Sequence, residues 1–230
     1  MSLPLSATGT LLSFSVGEET IIYPYSNVSP YRGGAFWCLP NFDEGIMPFT
    51  MRHGEYRKVT GNSIDETYSK KIEGPWGSLA TTCHWNEDET GISTTMHMTS
   101  LSHETLIRPG FHPYFVMRDD LLIRVAGRTL YKNSIPLSLK LVIPCNEGTD
   151  FAVAEMQNIK GNYIIRCKAT SSEQTRNFTY AYCLWTDDIE KYICIEPVIG
   201  ISFGEDTLPS PFSLKKNEEL TITIQIIKQK

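Results

Sequence analysis

The chain has 230 residues, 41% of them apolar and 11% aromatic, enough to bury a sizeable core and to exclude wholesale disorder. Its formal charge of -5 is mild and its Lys and Arg residues are scattered, so nucleic-acid binding has no electrostatic support. No basic segment followed by an apolar stretch opens the chain, and no apolar run approaches the roughly 20 residues a membrane helix needs. These features predict a soluble, cytoplasmic protein whose residues 1–230 form a single domain, with neither nucleic acid nor a membrane as partner.

Along the chain the dominant period is two. Turn signals come first at Asn27 with Pro30 and at Gly33-Gly34, then at Gly74-Pro75 and from Asn86 to Gly91. Leu121–Val125 is an apolar, β-branched run that reads as a strand, followed by the Asn146-Glu147-Gly148 turn. After Gly161-Asn162, the runs Tyr163–Cys167, Thr179–Trp185 and Tyr192–Ile195 are rich in aromatic and β-branched residues. Past Asn217, the segment Leu220–Ile226 alternates apolar and polar residues and puts its isoleucines on one face of a strand. No segment of twelve or more residues carries a helical stripe. Short strands with frequent turns predict an all-β sandwich or barrel.

The six cysteines stand at 38, 83, 145, 167, 183 and 194, with neither a C-x-x-C pair nor a zinc-like spacing. Most lie in strand-like runs, so they read as buried free thiols in a reducing compartment. His84, His97 and His103 show no helix-spaced ligand pair, and a surface or core role is the expectation for each.

Three local constellations are unusual for a plain β protein. They are His53-Gly54-Glu55-Tyr56-Arg57, Gly110-Phe111-His112-Pro113-Tyr114-Phe115 and Ile195-Glu196-Pro197. In the last, an acid closes an apolar run and the proline is expected to end the strand. An imidazole, a carboxylate and a guanidinium supply a proton donor, a proton acceptor and an anchor for hydroxyls or phosphate. Each has a bland alternative: His112 as a satisfied core histidine, Glu196 as a solvated strand end, Arg57 as a surface charge, His53 as turn chemistry. Only a fold can bring them together, because they lie far apart in the chain.

The three segments, in this order, resemble motifs of the aldose 1-epimerases, the galactose mutarotases and their relatives. Arg32-Gly-Gly-Ala-Phe-Trp-Cys-Leu-Pro-Asn-Phe42 resembles the glycine-rich loop of the subgroup that includes hexose-6-phosphate mutarotases. Leu184-Trp185 followed by Tyr192–Glu196 resembles that family's penultimate strand pair. The resemblance runs from about residue 20 to the C-terminus. It implies a large antiparallel β-sandwich of the galactose mutarotase-like kind and an isomerase that interconverts α and β anomers of a hexose without a cofactor or metal.

Carried over by motif, Glu196 matches the general base and His112 the general acid, while His53 and Arg57 match positions lining the sugar pocket. Asp150 is the best local match to a sugar-binding aspartate. Arg32 and Arg57 together form a candidate phosphate clamp. They are equally suited to bind sugar hydroxyls, or to pair with Asp43, Glu44 or Glu55. Tyr114 and Trp37 offer either an apolar platform for the sugar or core packing. The expected partner is a small sugar, with a free hexose slightly preferred over its 6-phosphate, and the expected state is a monomer or homodimer. A non-catalytic carbohydrate-binding module of the same fold is the main alternative.

Overall fold

The computed structural model describes residues 3–7, 9–28, 31–42, 57–61, 64–88, 90–145, 151–203 and 208–229. They form the strands β1 (Phe14–Val16), β2 (Glu19–Ile22), β3 (Ala35–Cys38), β4 (Arg57–Gly61), β5 (Asp65–Gly74) and β6 (Gly77–Asp88). Then follow β7 (Gly91–Ser100), β8 (Glu104–Ile107), β9 (Gly110–Val116), β10 (Leu122–Val125), β11 (Arg128–Tyr131) and β12 (Leu141–Pro144). The chain ends with β13 (Ala152–Asn158), β14 (Gly161–Ser171), β15 (Thr179–Trp185), β16 (Tyr192–Gly200), β17 (Phe212–Lys215) and β18 (Glu219–Lys228). Among the described residues the sole helical element is a 3-10 turn at Lys132–Ser134.

A nine-stranded sheet runs β11-β10-β13-β14-β18-β7-β6-β5-β4, and a seven-stranded sheet runs β1-β2-β9-β16-β15-β12 with β3 also paired to β9. Strand pairing within both is antiparallel, in keeping with the alternating sequence of strands such as β18. β18 shows why these residues choose a strand: Leu220, Ile222, Ile224 and Ile226 are buried and the threonines between them face outward. Each such side chain contributes at most about 1.5–3 kcal/mol of hydrophobic stabilisation.

One apolar cluster fills the space between the sheets, drawing Trp37, Phe111, Phe115, Ile193 and Ile195 from one and Trp85, Met96, Ile165 and Ile224 from the other. Polar tips buried in it find partners across the gap. The Trp37 indole N–H donates to Thr94 Oγ1 at 3.0 Å, and the Tyr182 hydroxyl donates to the Ile165 carbonyl at 2.6 Å. Trp37 is therefore a core residue, and the sugar-platform alternative for it is set aside. All six cysteines are free and buried.

Most described turns follow the punctuation, although Gly161-Asn162 opens β14 just after its turn, and Asn146-Glu147-Gly148 lies outside the described residues. Asp88 Oδ1 accepts from the Thr90 and Gly91 amides between β6 and β7, and Asn158 Oδ1 accepts from Lys160 and Gly161 between β13 and β14. One expectation fails. Pro197 does not end its strand, because β16 continues to Gly200. Its pairing with β15 is unbroken from Thr179 opposite Gly200 to Trp185 opposite Cys194, whereas the ladder to β9 lapses between Cys194 and Val198. A strand passes through a proline when the missing donor costs no ladder bond.

Candidate functional site

Alternation decides which side chains leave the core. On β9, Phe111 and Phe115 enter the apolar cluster, so His112 and Tyr114 project from the outer face of the seven-stranded sheet. On β16, Ile193 and Ile195 enter it, so Tyr192, Cys194 and Glu196 share that outer face. The register sets Cys194 opposite Tyr114 and Val198 opposite Gly110, which brings Glu196 across from His112. His112 Nε2 stands 3.4 Å from Glu196 Oε1. Pro113 and Pro197 flank this crossing, where the β9–β16 ladder lapses.

Glu196 is 4% exposed at its side chain, so it is not a solvated strand end, and His112, 15% exposed, packs on the outer face of the sheet rather than in the core between the sheets. The imidazole packs against two rings, Phe36 at 5.0 Å and Tyr114 at 4.7 Å, which lie 6.4 Å from each other. Trp185 meets it edge-on at 6.4 Å. These contacts fix the orientation of the ring and leave Nε2 turned toward Glu196. The Tyr114 phenol is held above its ordinary pKa by burial and then by the nearby Cys194, so it stays a neutral hydroxyl.

Arg32 reaches the same face. Gly33 and Gly34 precede β3 with φ of 87° and 74°, and a Cβ on Gly33 would lie 2.1 Å from the Pro24 carbonyl oxygen. That turn feeds Phe36 onto β9 opposite His112. The Arg32 guanidinium lies 5.2 Å over Trp185 and donates from Nε and Nη2 to Asp187 Oδ2 at 3.0 and 2.5 Å. The Asp187 bond raises the Arg32 pKa, with burial opposing it. Thr186 fixes the turn that presents Asp187, donating to the Tyr192 carbonyl and accepting from the Asp188 amide. Asp187 is a partner the sequence reading missed. Asp43, Glu44 and Glu55, considered there, lie outside the described residues.

Arg32→Lys should cost less than about 1 kcal/mol, since both charges are 28% exposed and partly screened by water. Urea denaturation measures this. A loss of several kcal/mol would mean that the pair is a structural strut rather than a rim contact.

The structure does not bring Arg57 to the His112–Glu196 pair. It opens β4 opposite Ser69, exposed on the outer face of the other sheet, where it lines a shallow cleft with Lys71 and Thr82. A clamp of Arg32 with Arg57 on one phosphate is thereby set aside. His53 and Asp150 lie outside the described residues. His84 and His97 face outward on β6 and β7, beside Thr67 and Thr221.

No family model matches the sequence, and no curated protein matches it. Solved structures do match the fold. A galactose mutarotase-like protein from Lactobacillus casei aligns with a TM-score of 0.67 at 12% identity, over 98% of this chain and 96% of that one. A galactose mutarotase related enzyme from Lactobacillus acidophilus gives 0.67 at 12% identity, over 98% and 93%. An aldose epimerase homologue from C. elegans gives 0.61 at 11% identity, over 97% and 94%. The chain therefore has the galactose mutarotase-like β-sandwich fold, as the motif resemblance implied.

Proposed function

We propose that this chain is an aldose 1-epimerase that interconverts the α and β anomers of a free hexose, with Glu196 as general base and His112 as general acid. The observation that carries this reading is the 3.4 Å His112–Glu196 pair on a largely buried outer face. In a pyranose, the C1 hydroxyl oxygen and the ring oxygen are bonded to the same carbon. Opening the ring takes a proton from the first and gives one to the second, so base and acid must stand side by side. Rotation about C1–C2 then exposes the other carbonyl face, and closure runs the two transfers in reverse. No electrons or groups leave the sugar, so these steps call for no cofactor.

Three further features support the reading. Phe36 and Tyr114 hold the imidazole so that its edge keeps one direction. Trp185 and Arg32 border the same face, offering an apolar ring and a charged rim to a sugar. The Arg32 guanidinium is engaged by Asp187 and Arg57 is remote, which favours an unphosphorylated substrate. His53 and Asp150 complete the sugar-binding set on motif resemblance alone. Six buried free thiols suit a reducing, cytoplasmic setting.

The test is the rate at which fresh α-D-glucose and α-D-galactose approach anomeric equilibrium with added protein, followed by optical rotation. Acceleration of either supports the proposal. Acceleration of the 6-phosphates alone would overturn the substrate assignment, and silence on all four with sugar still bound would make the chain a carbohydrate-binding module.

A further inference from the structure

Cys194 plays no part in the chemistry just proposed, yet it shares the face of Glu196, two residues along β16. One ligand atom each from His112, Cys194 and Glu196 lie within 4.8 Å of one another. Sequence spacing concealed this set, because the sheet register assembles it from two strands. Its donors are an imidazole nitrogen, a sulfur and a carboxylate oxygen. Calcium and magnesium prefer all-oxygen shells, whereas this mixture suits a borderline cation of the zinc class.

We propose that His112, Cys194 and Glu196 bind a zinc-class divalent cation, and that the bound ion switches off anomer exchange by occupying the acid and the base. The binding claim stands on the side-chain cluster. The inhibition claim rests on the function proposed above.

The geometry is close to what such an ion needs. Metal–ligand bonds of about 2.0–2.3 Å in a tetrahedron set ligand atoms roughly 3.3–3.7 Å apart. His112 Nε2 and Glu196 Oε1 already stand at 3.4 Å, so the sulfur need close by no more than about an ångström. When the metal–sulfur bond forms, the thiol proton passes to solvent and no redox step is involved. Three protein ligands leave a fourth position for water. His112 is the least buried of the three side chains, so an ion arrives from its side. The stacking of Phe36 and Tyr114 on the imidazole fixes that ligand beforehand.

Cobalt(II) is the probe, because a cysteine-bound Co2+ absorbs in the near ultraviolet through sulfur-to-metal charge transfer. The protein should bind one equivalent with that band, and Zn2+ should displace it. Cys194→Ser should lose the band and His112→Asn should weaken it, while Cys167→Ser, in the other sheet, keeps it. Even a change that only disturbs the support of a ligand costs about 10–100-fold in metal affinity, so Zn2+ binding to Cys194→Ser should fall by at least that factor. Near-ultraviolet circular dichroism of each variant separates a lost ligand from a lost fold.

No band in the wild-type protein, or a band that survives in a folded Cys194→Ser, overturns the site. Activity gives a separate arm. Zn2+ should slow anomer exchange in the wild type and a chelator restore it, and full activity at saturating Zn2+ overturns the switch. A protein that shows the band yet turns over no sugar would refute the epimerase reading and leave the metal site standing.

Discussion

Glu196→Gln is expected to lower anomer exchange by about 10²–10⁴-fold, the usual worth of a positioned general base. The amide keeps the shape of the carboxylate but takes no proton from the C1 hydroxyl. The side chain is 4% exposed and paired with His112, so the variant loses one partner of a buried pair, and thermal stability should fall while the fold is kept. His112→Asn should fall by a similar factor through loss of the donor to the ring oxygen. Because the two act on one transition state, the double variant should be scarcely slower than either single one. Turnover near the wild-type level in folded Glu196→Gln would remove the base assignment. An unimpaired His112→Asn would mean that another group donates the proton, and the Tyr114 hydroxyl stacked beside it is the first to examine.

Much of the fold was legible because strand alternation is a local property. The isoleucines of Leu220–Ile226 fall on the core face of β18, and Thr179–Trp185 coincides with β15. The turn residues Asp88 and Asn158 act through side-chain bonds to amides two and three residues ahead, which a short window of sequence contains. Pro197 was misread for the opposite reason. Whether a proline stops a strand depends on which neighbour its missing N–H would have faced, and that neighbour, β9, is remote in sequence.

The candidate site divides in the same way. Glu196 and His112 stood out through their motifs, and their meeting depends on a β9–β16 register that no local pattern reveals. Once Glu196 is placed outward, period two also nominates Cys194 and Tyr192, and from His112 it nominates Tyr114. For Tyr192 and Cys194 that signal went unused, whereas Tyr114 was already a candidate platform. Asp187 had no such signal, since its link to Arg32 spans 155 residues. Arg57 shows the converse hazard. A motif match placed it with the site, and its strand lies on the other sheet.

Phe111→Ala should destabilise the protein by about 3–5 kcal/mol, the range for deleting a buried aromatic side chain. Phe111 is fully buried, with ring centroids 5.2 Å from Trp37 and 6.0 Å from Trp85, so it ties β9 to the opposite sheet. Trp37 is anchored to Thr94 and cannot easily slide into the space left behind. Leu139→Ala, at a side chain 65% exposed, should stay within about 0.5 kcal/mol of wild type. Urea unfolding with an unchanged m-value measures both. Phe111 and His112 are consecutive and face opposite ways, so the core beneath the strand also sets the height of the imidazole above it. A folded Phe111→Leu variant should therefore lose turnover with little loss of stability. If instead it keeps full turnover, the rings of Phe36 and Tyr114 position His112 without help from the core.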